Sequence, residues 1–201
     1  IYSTTSTTTI DSDAVVIMDH ATTATFHALT GGVTNFNIVK DRQSIRLNQI
    51  KPYDVVTYDQ ISNTLVVSDL LMTAVYTDPQ PSPKTPTELM AAGVKFDVLQ
   101  SAWDTIGDIK PGDSVSLLLT ADGKVAGIVK PTPQARSTAI GVIEGGSVSI
   151  YLPNGSTMSL GKVSNASGIQ NGQPVIVSAA RDSFTVSRLP DKRAPGSFDL
   201  N

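Results

Sequence analysis

The chain has 201 residues, of which 16% are charged and 5% aromatic, and it carries a formal net charge of −3. That balance argues against nucleic acid, whose binding is dominated by Lys and Arg neutralising phosphates. The absence of cysteine excludes disulfides, thiolate chemistry and Cys-type zinc sites, and no apolar run approaches the roughly 18 residues of a membrane-spanning helix.

Abundant Ser, Thr, Val and Gly suit strands with polar outer faces better than long helices. The first nine residues, Ile1 to Thr9, are Thr/Ser-rich and are expected to fray. Ala14 to Met18 is the first strand candidate. His20 to Thr30 reads as a polar connection with a strand-like interior at Ala24 to Leu29, before Gly31-Gly32. Thr34 to Lys40 alternates, with Phe36 and Ile38 on one face. Val55 to Tyr58 and Thr64 to Val67 then form a hairpin turned at Ile61-Ser62-Asn63.

The same order begins again at Thr73 to Thr77. Four prolines between Asp78 and Thr87 remove backbone donors and favour polyproline II, so this stretch is expected to be an exposed loop and not a strand. Phe96 to Leu99 matches Phe36 to Val39 at an offset of 60, and Ser101 to Ile106 is long enough for one short helical turn. The clearest hairpin follows. Pro111-Gly112-Asp113 turns the chain into Val115–Leu119, and Asp122-Gly123, a type I′ dipeptide, turns it back into Lys124–Val129. Pro131-Thr132-Pro133 reads as a linker. A third passage runs from Thr138 through the Asn154-Gly155 turn to Phe184-Thr185-Val186, and the end from Pro190 onward is a charged tail.

Ile50-Lys51-Pro52-Tyr53-Asp54, Ile109-Lys110-Pro111-Gly112-Asp113 and Ile169-Gln170-Asn171-Gly172-Gln173 are spaced by 59 and 60 residues. A fixed period of this kind marks an array of like units. The expectation is an all-β chain of three tandem small β-sheet or barrel-like units of about 60 residues with minor helical turns. They span 10–70, 71–131 and 136–190, with flexible ends at 1–9 and 191–201. Val115, Leu117, Leu119, Val125 and Ile128 are the expected core of the second unit. The start at Ile1, with no Met and no signal-like segment, suggests a piece of a longer chain.

Tyr53-Asp54-Val55-Val56-Thr57-Tyr58, Gly112 to Leu119 with Asp122 to Ile128, Phe96 to Leu99, Met72 to Pro86 and Ile140-Gly141-Val142 resemble repeat regions beside S-layer homology domains in Gram-positive, chiefly clostridial, cell-surface proteins. The resemblance covers roughly residues 10 to 190. It implies an extracellular location at the bacterial cell envelope and a non-catalytic spacer role, with neighbouring domains of a longer chain as partners. None of the helical repeats that anchor such proteins to wall polysaccharide is found, so no residue here is assigned to anchoring.

His20 and His27, the only histidines, lie seven apart without a partner motif. Asp11, Asp13 and Asp19 invite a calcium reading, but the sixth and twelfth places of an EF-hand loop hold Val16 and Thr22. No nucleophile-elbow, zincin, Walker or dinucleotide fingerprint occurs. The expectation is therefore no catalysis, no cofactor and no metal. The alternative function is an adhesin or carbohydrate-binding module that meets cell-wall or host glycan through loop tips and exposed aromatics. The candidate contacts are Tyr53, Trp103, Tyr76 and Tyr151. Tyr53 stands where the related turns have Gly112 and Gly172, which suggests a solvent-facing ring. Trp103 is either a sugar-stacking platform or, more in keeping with a small β-unit, a plug between the helical turn and the hairpin.

Overall fold

The structure, a computed structural model, describes residues 13–132, 138–165, 168–180 and 182–188. The expected flexible ends, the Pro133 part of the linker and Asp11 of the calcium reading lie outside them. The described chain is mostly β and forms two sheets.

The first sheet contains β1 (Val15–Val16), β2 (Asn37–Lys40), β3 (Gln43–Ser44), β4 (Val55–Asp59) and β5 (Thr64–Ser68), in the order β1-β4-β5-β2-β3. β2 runs parallel to β5; the other pairs are antiparallel. The expected strand at Ala24 to Leu29 is instead a 3₁₀ turn, Thr23–Phe26, followed by α1, His27–Thr30. Phe26, Leu29 and Thr30 are the buried residues of that stretch, and their i, i+3, i+4 spacing is helical. Thr22 N–H donates to Thr25 Oγ1 at 2.9 Å at its start, and Gly31 ends it at φ 74°.

The second sheet has ten strands. Five are β6 (Leu71–Gln80), β7 (Glu88–Ala91), β8 (Val94–Asp97), β9 (Ser114–Leu119) and β10 (Val125–Val129). The other five are β11 (Ile140–Glu144), β12 (Ser147–Tyr151), β13 (Thr157–Lys162), β14 (Val175–Ala179) and β15 (Phe184–Arg188). β9, β6, β7 and β8 lie side by side, a Greek-key arrangement. β10 pairs with β9, and a parallel bridge from Val98 to Val125 brings the circuit almost to closure. β11 to β15 repeat it: β14, β11, β12 and β13 are adjacent, β15 pairs with β14, and Val163 bridges to Phe184. A short helix, α2 (Trp103–Ile106), sits between β8 and β9.

β6 and β14 meet in parallel at Ala74 and Ala179, so 71–131 and the described part of 136–190 share a sheet. They also share one apolar core, which runs from Met72, Tyr76, Phe96 and Leu117 to Ile143, Val177 and Phe184. Val115, Leu117, Leu119, Val125 and Ile128 are fully buried in it. The first sheet has its own core around Phe26, Val56, Leu65 and Val67. Between the two lies a seam of Ala14, Val55, Leu71, Leu118, Ala126 and Val129. β9 and β10 are therefore apolar on both faces, which is why their sequence reads as continuous apolar runs and not as alternation.

Two further local expectations are corrected. β6 continues through Asp78, Pro79 and Gln80, which the prolines had assigned to a loop. Pro79 is tolerated because the register with β7 shifts between Thr77 and Gln80, where a ladder donor is not required. The Asp122-Gly123 turn is not type I′: Gly123 is at φ 88° and closes a three-residue loop with Gly123 N–H on the Thr120 carbonyl at 3.0 Å. Two-residue loops with positive φ at both positions, as type I′ requires, occur instead at Ala92-Gly93, φ 52° and 82°, and at Asp41-Arg42, φ 50° and 68°.

Candidate functional site

The turn that recurs in the sequence recurs in geometry. The Asp54, Asp113 and Gln173 N–H groups donate to the Lys51, Lys110 and Gln170 carbonyls at 3.1, 3.0 and 3.1 Å. The third residue is left-handed each time: Tyr53 at φ 71°, Gly112 at 93°, Gly172 at 83°. The side chain of the fourth residue accepts the N–H of the first, at 2.9 Å in Asp54, 2.9 Å in Asp113 and 3.2 Å in Gln173. The N–H of the third donates outward to Ile17, Tyr76 and Ile143 carbonyls at 2.6, 2.8 and 3.1 Å. Each hairpin is thus tied to an earlier strand by the same clip.

The four aromatic candidates separate. Tyr76 is 1% exposed and faces inward on β6, inside the core, and does not present its ring on the surface. Trp103 is half-buried on α2 and its Nε1 donates to the Pro86 carbonyl at 2.7 Å, which makes it a brace between the proline loop and the helix. Tyr53 is half-buried against the seam and does not project into solvent as its turn position suggested. Tyr151 is 50% exposed.

Tyr53 and Tyr151 line two adjoining clefts that share Asp69 and Thr138. One is formed by Lys40, Lys51, Pro52, Tyr53, Asp54 and Leu71 with the shared pair. The other, about 230 Å³, is walled by Asp41, Leu70, Ile140, Tyr151, Leu152 and Pro153 with the same pair. Lys40 Nζ lies at the junction, 3.3 Å from Asp54 Oδ2 and 3.6 Å from Asp69 Oδ2. Burial pushes the Asp54 carboxyl up from its ordinary range, against the pull of the Lys51 N–H and the Lys40 ammonium. Thr138 Oγ1 donates to the Asp69 carbonyl at 2.7 Å and accepts the Leu71 N–H at 3.0 Å, which fixes that wall.

The 230 Å³ cleft lies between the β2–β3 turn and β11–β12, and the β2–β3 turn also touches the β12–β13 turn. Arg42 Nη2 occupies the place where a Cβ on Gly155 would stand. First and last parts of the chain are therefore in contact, and the three passages do not form a simple row. Sequence reasoning found Tyr151 but missed Asp41, Asp69 and Ile140. Nothing local marks them, because they meet only through the packing of distant segments.

His20 Nδ1 lies 3.0 Å from Asp19 Oδ2 on the surface, and His27 is exposed on α1. Among the described residues no group of three or more His, Cys, Asp and Glu is placed to hold a metal ion, and no helix is long and apolar enough to cross a membrane. No family model, curated protein or solved structure matches this chain. Its functional reading therefore starts from the geometry alone.

Proposed function

We propose that the chain is a non-catalytic structural module, a spacer, of an extracellular protein at the bacterial cell envelope. In this reading three β units of about 60 residues, 10–70, 71–131 and 136–190, are copies of one building block. The observation that carries it is the clip: three turns in like positions, with the same hydrogen bonds and the same left-handed third residue. Each also leads into the middle strand of an antiparallel trio, β1-β4-β5, β6-β9-β10 and β11-β14-β15.

A spacer needs stiffness, and the seam supplies it. Leu118, Ala126 and Val129 pack against Ala14 and Val55, so the first sheet is held by apolar contact and not only by its linker. The partners in this reading are neighbouring domains, held at a fixed distance and orientation. Small-angle scattering of the purified chain tests it: one rigid shape is expected, and a profile that needs independently moving lobes overturns the reading.

A second reading, an adhesin or carbohydrate-binding module, is favoured by one observation: Tyr151 presents half its surface in a cleft between distant parts of the chain.

A further inference from the structure

We propose that the cleft between the β2–β3 turn and β11–β12 is a glycan-binding site, with the Tyr151 ring as its stacking face and the Asp41 carboxylate as acceptor for sugar hydroxyls. The inference rests on the second reading above and narrows it to one place.

The cleft pairs two kinds of wall. Ile140, 38% exposed, and Tyr151, 50% exposed, lie one step beyond the Gly141–Ile150 pair of β11 and β12. They stand side by side on the outer face, and Leu152, Pro153 and Leu70 extend the apolar surface. Met18, Val33 and Ile61, the other exposed large apolar residues among those described, lie outside this cleft. On the polar side, Asp69 is engaged by Lys40, whereas the Asp41 carboxylate has no hydrogen-bond or ion-pair partner among the described residues.

The backbone that presents Asp41 is the two-residue loop of the β2–β3 hairpin, closed by the Lys40–Gln43 pair. Asp41 and Arg42 sit at φ 50° and 68°, consecutive left-handed positions without glycine. Both loop positions of a type I′ turn need positive φ, so the hairpin fixes where Asp41 points. Arg42 is seated against Gly155, so the turn is held in place before any ligand arrives.

The charge balance selects the ligand class. Asp41 and Asp69 are negative, but Lys40 pairs with Asp69, and the Arg42 guanidinium packs on Gly155 outside the lining. A free cation would meet both attraction and repulsion. A neutral sugar ring suits the lining: its C–H face lies on Tyr151 and Ile140, and its hydroxyls donate to Asp41. A volume of about 230 Å³ holds a single ring, with the rest of an oligosaccharide lying in solvent or toward the adjoining cleft.

The test is an array of neutral hexose and N-acetylhexosamine oligosaccharides probed with the purified chain, then titration of any hit with Tyr151→Ala, Asp41→Asn and, as control, Ile61→Ala, an exposed position outside both clefts. Positions 151 and 41 are exposed, and Asn tolerates the left-handed backbone at 41, so both variants are expected to fold, which circular dichroism checks. Saturable binding is expected, weakened about tenfold by Tyr151→Ala and about tenfold by Asp41→Asn, and unchanged by Ile61→Ala. Binding that survives both cleft variants overturns this site and leaves the second reading standing. No binding across the array overturns both.

Discussion

Tyr76→Phe isolates one atom. The Tyr76 residue is 1% exposed, and its hydroxyl has no hydrogen-bond partner among the described residues. In the unfolded chain that hydroxyl is hydrated. Folding strips the water without replacement, at a cost of about 1–3 kcal/mol for an unsatisfied buried polar group. The ring itself fills the core beside Leu89 and Phe96, and phenylalanine keeps it. Tyr76→Phe is therefore expected to stabilise the protein by about 1 kcal/mol, the low end, because a slightly smaller side chain also leaves a small void. For a chain of this size that is a rise in Tm of about 2–4 °C. Burial, and secondarily the charge of Asp113, raises the phenol above its ordinary value of 10.0. Below that value the folded and unfolded states hold the same proton, and this group gives no pH dependence. Above it the unfolded state loses the proton first, so stability falls as pH rises, until the folded group also ionises. The variant should lack that part of the alkaline decline. Urea denaturation at neutral pH and again above pH 10 measures both effects. A variant less stable than the parent at neutral pH would refute the reasoning, since it would mean that the hydroxyl is satisfied in solution.

Leu117→Ala removes a fully buried side chain from the core of the second sheet and is expected to cost about 2–5 kcal/mol by denaturant midpoint; a surface-sized loss would contradict its core placement. Gly141→Ala places a Cβ on the Ser149 carbonyl oxygen, a backbone group that cannot swing aside, and should destabilise by about 1–3 kcal/mol in thermal melts. Asp54→Asn should change the pH profile. Burial raises the Asp54 carboxyl, so its contribution is present below the ordinary value of 3.8 and lost as pH rises through the raised one. The variant removes that step, and its side-chain oxygen can still accept the Lys51 N–H, as Gln173 accepts from Gln170. An unchanged slope in acid titrations of stability would show that Asp54 is not desolvated.

Much of the fold was legible because it rests on local chemistry. The hairpins β4–β5 and β9–β10 follow from apolar runs with turn residues between them, and the clip follows from Lys-Pro-Tyr-Asp and Lys-Pro-Gly-Asp. Where the reading failed, a nonlocal contact decided. Pro79 stays in a strand because β7 accommodates a register shift, and Thr23 to Thr30 turns helical because Phe26 and Leu29 must reach the first core. β7 was missed although Ala92-Gly93 between Leu89, Ala91, Val94 and Phe96 carries a hairpin signal, because prolines upstream drew the segment toward loop. The cleft was the least visible. Asp41, Asp69, Ile140 and Tyr151 are distant in sequence, and nonlocal contacts (Lys40 with Asp69, Thr138 with Asp69 and Leu71, Arg42 on Gly155) bring their neighbourhoods together.

The two-sided apolar character of β9 and β10 has a practical consequence for protein engineering. A shortened polypeptide beginning near Leu70 would keep the barrel interior yet uncover Leu118, Ala126 and Val129, with no first sheet to shield them. Such a fragment should self-associate at modest concentration, through a greasy flank that the intact molecule never shows to water. Soluble expression of that piece would call for charged replacements at those three positions.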